Sequence, residues 1–337
     1  MTQALAADLI VIGGGVLGLS VAWRAQQRGL RVCVVDASMG APSATPSSAG
    51  VLWPLEPLAA DSPFRRWVQQ SLALYPAFLS SLTQAPQADC GFVRPGLLRF
   101  DAQPDALELG EEWAAPSWPG QIAPVEGAWV AHAARIDPPK LLSCLRRNLR
   151  EAGVNILPER ALELRDEGEV LTASSRLRAA HVVMATGAWP MRNAGDLSPV
   201  AGQMQHLRPQ TPYQGPMLVD GDAYLVPLPS GDVLLGATLE QRGYAAKVTE
   251  VAKDWLQQRL SSFAEHLGPS HVQWQWLGLR PCYAQGQRPL IGQLEPGSRL
   301  AWASGAYRLG MTIAPAVAEQ VSAWAASEPA ALPLIEE

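Results

Sequence analysis

The chain has 337 residues, of which 48% are hydrophobic and 17% charged. That length suits about two domains, and that composition suits collapse into packed cores rather than disorder. A net charge of -5 offers no basic field for a nucleic acid backbone or an anionic bilayer, so neither partner is expected.

The first element is the run Asp8 to Gly15, "DLIVIGGG", rich in β-branched residues and ended by glycines, as a strand buried on both faces would be. "GLSVAWRAQQRG" follows with helical spacing and a glycine stop at Gly29, and "RVCVVD" is a second buried strand. Together they form a β-α-β unit. Gly13, Gly15 and Gly18 fit GxGxxG at its strand-to-helix turn. The first permits a tight turn, the second a close approach of pyrophosphate, and the third close packing of helix on strand, with the phosphates meeting the positive end of the helix. Asp36 lies 23 residues after Gly13 at the end of the second strand, where a carboxylate accepts hydrogen bonds from an adenosine ribose. An adenine dinucleotide is expected here, and the motif alone leaves NAD and FAD both open. No second copy of it exists, so one dinucleotide suffices.

The apolar run Leu9 to Trp23 holds 15 residues, short of the roughly 18 to 20 that a membrane span needs, and glycines interrupt it. No basic segment precedes it as in a signal peptide, so a cytoplasmic location is expected. The four cysteines (Cys33, Cys90, Cys144, Cys282) form no CxxC, and the histidines form no ligand spacing, so no metal is expected.

After Asp36 comes "ASMGAPSATPSSAGVLWP", a Ser/Pro/Gly loop too long for a plain connection and of the kind that carries function. "PFRRWVQQSLALYPAFLSSL" reads as an amphipathic helix and "GLLRF" as a strand, and residues 101–125 read as a mobile Pro-rich, acidic excursion. "DPPKLLSCLRRNLREAG" is a helix burying Leu141, Leu142, Leu145 and Leu149, its arginines a solvated face. "RAAHVVMATGAWP" is a buried strand whose end, Thr186 and Gly187, lets backbone approach a ligand; His181 within it reads as a core or strand-end histidine. From Gly202 to Arg280 the pattern alternates: "AYLVPLPSGDVLLGATLE" is a hairpin turning at Ser230-Gly231, and "HVQWQWLGLRP" is a strand. "RLAWASGAYRLGMTIAPAVAEQVSAWAA" returns to strand, glycine turn and helix, so the far C-terminus closes the first domain.

Six of these blocks in order ("VIGGGVLGLSVAW", "SSAGVL", "VVMATGAW", "YLVPLPSGDVLLGAT", "WLGLRP" with "PLIG", and "ASGAYRLGMTIAPA") resemble the D-amino acid oxidase superfamily of FAD enzymes, within it the glycine oxidase branch. The resemblance implies an α/β fold with an α+β second domain: a Rossmann-like FAD-binding domain from residues 1–88, 132–200 and 284–337, and a discontinuous, mainly antiparallel substrate domain from 89–131 and 201–283. It implies non-covalent FAD, although Cys282 lies near the position where sarcosine-type relatives attach flavin covalently. Ser48, Ala49, Gly50 and Leu52 would lie against the flavin ring. The turn from Gly305 to Gly310, including Arg308, would aim backbone N–H groups at its pyrimidine oxygen. Arg280 would grip the substrate carboxylate, Tyr224 would assist, and Arg308 would stand at the pocket rim.

The implied reaction is oxidative deamination of a small amino acid, glycine or a D-amino acid, by hydride transfer to flavin N5. Imine or 2-oxo acid, ammonia and hydrogen peroxide result, with molecular oxygen as acceptor. Two alternatives stay open, a dehydrogenase of amino acids or secondary amines using another acceptor and a non-catalytic flavoprotein scaffold. So does assembly into a homo-oligomer. Asp222, where a relative carries histidine, would favour a cationic substrate group, and Gln285 replaces an acidic residue often found after "GLRP".

Overall fold

The computed structural model describes residues 5–37, 42–55, 58, 62–82, 90–104, 107, 110–117, 126–165, 168–191, 195–286 and 288–328. Much of the excursion expected over 101–125 lies outside them; within it Glu112–Ala114 is a strand.

Two eight-stranded sheets organise the described residues. In the first, Leu5–Ile12 lies between Val32–Val35 and Arg176–Met184, all parallel. Asn155–Leu157 extends one side and Leu300–Ser304 the other, again in parallel. The strands are apolar runs because both faces are covered: Leu9, Val11 and Val34 face a core cluster shared with the helices, and Ile10, Cys33 and Val35 face a second cluster that takes in Leu164 and Val170 of the strand pair Glu163–Arg165 and Glu169–Leu171. Strand Leu300–Ser304 comes from the C-terminal end of the chain, as the sequence predicts. The order reverses beside Leu5–Ile12, and open α/β sheets bind ligands at such a switch point, outside the carboxyl ends of the strands.

The second sheet runs Ser270–Cys282, Ser198–Pro209, Val233–Gly236, Ala223–Pro227, Met217–Asp220, Leu97–Arg99, Gly127–Val130 and Glu112–Ala114. It is antiparallel except where Met217–Asp220 meets Leu97–Arg99. Strand Ser198–Pro209 crosses the boundary drawn at residue 200 and belongs to this sheet throughout. In its register with Ser270–Cys282, Val200 faces Arg280, Gly202 faces Gly278 and Met204 faces Trp276. Period 2 therefore puts Arg280, Gly278, Trp276, Gly202 and Met204 on one face.

The Ser/Pro/Gly loop is stitched between the two sheets. Leu279 N donates to Pro42 O at 2.8 Å, the Ser47 hydroxyl donates to Leu277 O at 3.1 Å, and Trp276 Nε1 donates to Ser47 O at 2.9 Å. Val51–Leu52 then pairs with Ala134–Arg135. Gly50, at φ 75°, has Ile136 O 1.9 Å from where a Cβ would stand, so only glycine fits this crossing.

Helix Pro63–Leu82 braces the last helix, Gly310–Ala325. Pro315 has no N–H for Met311 O, and the Tyr75 hydroxyl donates to that carbonyl instead. The Ser71 hydroxyl donates to Thr312 O at 2.9 Å and accepts from Ala316 N at 3.3 Å. A proline that would weaken the helix start is thereby accommodated, and the helix N-terminus is fixed where the two sheets meet.

Candidate active site

At the carboxyl ends of the first sheet lies a cavity of about 720 Å³ lined by Gly13, Gly15, Asp36, Thr186, Gly187, Tyr307 and Gly310 among others. Gly13, at φ 116°, brings its Cα against Ala185: a Cβ would stand 2.2 Å from Ala185 O. Gly18 does not line the cavity; a Cβ on it would meet Gly13 O at 2.1 Å, so its role is the close helix-to-strand packing the motif predicts.

Helix Val16–Gln27 starts at Gly15, which caps nothing, and has no acidic residue in its first turn; its first N–H, that of Val16, donates to Thr45 Oγ1 at 3.2 Å, whereas helix Gly310–Ala325 starts at Leu309 with no side-chain cap. Helices Pro138–Glu151 and Glu250–Leu260 carry caps, with Lys140 N donating to Asp137 at 3.0 Å and Ala252 N to Thr249 at 3.3 Å. Both termini line the cavity and neither carries an acidic side chain, so their positive ends are available to an anionic group. The buried Thr186 hydroxyl on the same wall has no hydrogen-bond partner among the described residues. These features fit a long ligand carrying phosphates.

Asp36 is reached by a residue the sequence reading misses. Arg146 Nη2 donates to Gly14 O at 2.9 Å and to Asp36 Oδ2 at 3.2 Å, tying the carboxylate to the glycine loop. Arg146 therefore corrects the reading of the helix arginines as a solvated face. The signal lay in the spacing: Arg146 stands in the row of Leu142 and Leu149, four and three residues away, on the shoulder of the buried stripe.

The second cavity, about 90 Å³, joins the first at Thr45, Tyr307 and Gly310 and is lined by Ser48, Ala49, Gly50, Val51, Trp53, Met204, Tyr224, Arg280 and Arg308 among others. Arg280 lies over Gly202, whose Cβ would collide with its guanidinium at 2.1 Å. Its Nη1 donates to Thr238 O at 3.1 Å. On the opposite face Gln203 fixes this stretch, its backbone N–H donating to Thr238 Oγ1 at 2.9 Å and its side-chain amide to Glu240 at 2.9 Å. Burial lowers the Arg280 pKa from the ordinary guanidinium value; Tyr224 and Tyr307 oppose that shift and Arg308 adds to it. Arg280 is half-buried and makes no ion pair with a carboxylate among the described residues.

Tyr224, buried, points its hydroxyl at Met204 Sδ, 3.7 Å away. Arg308 lies 6.0 Å from the centre of the Tyr224 ring, and Tyr307 before it holds φ 46° while its N–H donates to Pro281 O at 2.8 Å. The fold thus brings Arg280, Tyr224 and Arg308 to one cavity with Ser48, Ala49 and Gly50.

Three expected positions fall elsewhere. Leu52 alternates away from Val51 and lines a third cavity. Gly305, at φ 70°, serves its turn, where a Cβ would meet Tyr283 at 2.7 Å, and lines neither site cavity. Asp222 is exposed at a turn and lines neither. Cys282 is buried and in no disulfide, and among the described residues no group of His, Cys, Asp and Glu is arranged for a metal. His181 is half-buried with Trp324 edge-on at 4.7 Å, and burial lowers its pKa.

The family model for FAD-dependent oxidoreductases, DAO, matches residues 8–324. The chain belongs to that family. A glycine oxidase from Pseudomonas aeruginosa is 28% identical over 338 residues, covering 91% of this chain and 92% of that protein, which supports the glycine oxidase-like branch. Among solved structures, glycine oxidase from Geobacillus kaustophilus superposes with a TM-score of 0.86 at 22% identity, covering 98% of this chain and 97% of that one. Iminodiacetate oxidase from Chelativorans sp. BNC1 gives 0.83 at 22%, with 97% of each chain covered. The first sheet is thus that of a Rossmann-like FAD-binding fold, and the cofactor is FAD. Among the described residues, no helix is long and apolar enough to cross a membrane.

Proposed function

We propose that this FAD-dependent oxidoreductase oxidatively deaminates a small α-amino acid, glycine or a D-amino acid, giving imine or 2-oxo acid, ammonia and hydrogen peroxide. The observation that carries the reading is Arg280: a half-buried guanidinium with no ion-pair partner among the described residues, in a small cavity continuous with the dinucleotide cradle. A cation in that position is balanced by an anionic ligand, and a planar fork of donors matches a carboxylate. A scaffold that merely retained FAD has no use for it.

FAD, when bound, supplies the two-electron acceptor for the substrate α-carbon and returns the electrons to oxygen. The chain's own residues hold and orient. Gly13, Gly15 and the start of helix Val16–Gln27 would take the pyrophosphate, and Asp36 with Arg146 the adenosine ribose. Ser48, Ala49, Gly50, Gly187 and the N-terminus of helix Gly310–Ala325 would border the ring system, that terminus favouring negative charge on it. Arg280 and Tyr224 would fix the carboxylate, with Arg308 at the rim. No carboxylate or histidine among the described residues lines the cavity of the clamp, so the substrate amine would be taken up as the free base or lose its proton to water.

An anaerobic screen of amino acids, following loss of flavin absorbance and then admitting oxygen, tests the reading. Bleaching by a small amino acid and rapid recovery in oxygen is the expected result. Bleaching without recovery replaces oxygen by another acceptor; no bleaching by any amino acid or secondary amine overturns the enzyme reading.

A further inference from the structure

We propose that Trp53 sets the size of substrate this enzyme accepts, its indole being the partition between the cavity over Arg280 and a second, larger one behind it. The inference rests on the amino acid oxidase reading above and adds the restriction that determines which amino acids enter.

Three observations carry it. The cavity over Arg280 measures about 90 Å³, whereas the neighbouring one measures about 350 Å³. Trp53 is the one described residue that lines both. The larger cavity is walled chiefly by apolar groups (Leu52, Leu72, Phe92, Ala134), with Arg94 and Gln69 among the polar ones. Its chemistry suits a bulky apolar side chain, yet the indole bars the way from the clamp.

The indole is also held in place. Trp53 follows strand Val51–Leu52, which pairs with Ala134–Arg135, and only 6% of it is exposed. His132 meets the ring edge-on at 4.9 Å. Gly110, at φ 61°, packs against both rings: a Cβ there would stand 2.9 Å from His132 and 3.2 Å from Trp53. The opposite side of the small cavity is equally fixed, since Gly202, Gly236 and Gly278 are tight against Arg280, Tyr224 and Ser47. An amino acid anchored by its carboxylate at Arg280 therefore has room for a hydrogen or a small substituent, and a larger one meets the indole.

The test is selectivity in wild type, Trp53→Ala and Trp53→Leu, each loaded with FAD and checked for flavin content and thermal midpoint. Glycine and alanine are compared with leucine and phenylalanine, using both enantiomers where they exist. A hydrophobic pocket discriminates by roughly 10- to 200-fold per methylene, so the ratio of kcat/KM for bulky over small substrates should rise by at least about tenfold in both variants. Anaerobic titration gives a readout apart from turnover. Perturbation of the flavin spectrum should show acetate but not phenylacetate binding to wild type, and phenylacetate binding to Trp53→Ala. A folded, flavin-loaded Trp53→Leu with wild-type selectivity overturns the partition. So does a wild type that accepts phenylalanine as readily as glycine, a result that needs no variant to fold. If no amino acid bleaches the wild type, the oxidase reading itself fails, a result distinct from both.

Discussion

The two sheets carry information differently. The first has a parallel centre covered on both faces, so its central strands read as apolar runs and its functional residues sit at strand ends, where a glycine motif and a terminal carboxylate mark them locally. The second is antiparallel, and the residues that matter lie mid-strand on one face: Arg280 on Ser270–Cys282, Met204 on Ser198–Pro209, Tyr224 on Ala223–Pro227. Their meeting depends on register, which no single strand contains. One half of the site is built from a contiguous motif and helix termini, the other from three strands far apart in the chain. Changes in the two halves should accordingly fail in different ways.

The largest separation is expected at Arg280. Arg280→Ala should lower kcat/KM for amino acids by more than about a hundredfold, roughly 2.7 kcal/mol, with Arg280→Lys intermediate because it keeps the charge and loses the fork. FAD affinity should hardly change, and amines without a carboxylate should be affected far less. Equal damage to FAD binding would show that the halves are not separable.

The converse is expected at Asp36. Asp36→Ala should weaken FAD by about 1.5 to 3 kcal/mol, the range for hydrogen bonds to a charged group, or about tenfold to 150-fold, measured by titrating apoenzyme. Excess FAD should restore turnover with unchanged KM. Arg146→Ala breaks a partly exposed pair and should cost less, about 1 kcal/mol. ADP-ribose should lose affinity for both variants while riboflavin does not, because the adenosine end carries the effect. Full FAD occupancy of Asp36→Ala at dilute concentration would remove the ribose from this carboxylate.

Caps sharpen the comparison further. Thr249 caps a helix of the second half, so Thr249→Ala should cost about 1 kcal/mol of stability in thermal unfolding and leave FAD affinity alone. Placing Ser at Gly15 to cap helix Val16–Gln27 should instead weaken FAD, since the new hydroxyl competes for the same N–H groups. A gain in FAD affinity would contradict the role given to that terminus.

The smallest effect concerns pH. Burial holds the His181 pKa below its ordinary value of 6.5, so the unfolded chain binds the proton more readily than the folded one. Stability from this group is present above 6.5 and is lost as pH falls toward the folded pKa. In His181→Phe the thermal midpoint should depend less on pH below 6.5; an unchanged dependence places the effect at another group.

The glycine motif and Asp36 of the dinucleotide cradle were legible because each of their requirements is local, whereas Arg146, brought in from a distant helix, was not. Gly13 needs a positive φ, Gly18 needs contact, and Asp36 needs to end the second strand, and those demands fall within one β-α-β unit. The clamp residues were legible only through family resemblance, since an arginine among apolar neighbours in "WLGLRP" is on residues alone as consistent with packing as with binding. Leu52 and Gly305 show the limit of that resemblance, which identifies a segment and not the side of it that each residue faces.

By itself the sequence determined the opening β-α-β unit, helices Pro63–Leu82, Pro138–Glu151 and Gly310–Ala325, the glycine loop and the return of the C-terminus to the first sheet, because hydrophobic period and backbone freedom are properties of contiguous residues; helix Glu250–Leu260, inside the stretch read as alternating, it did not. Only the tertiary structure decided that Arg146 meets Asp36, that Gly202 makes room for Arg280, that Tyr75 takes the carbonyl Pro315 leaves free, and that Trp53 stands between two cavities. Each of these joins residues from segments distant in the chain, and the chain specifies such meetings only through the packing of whole elements.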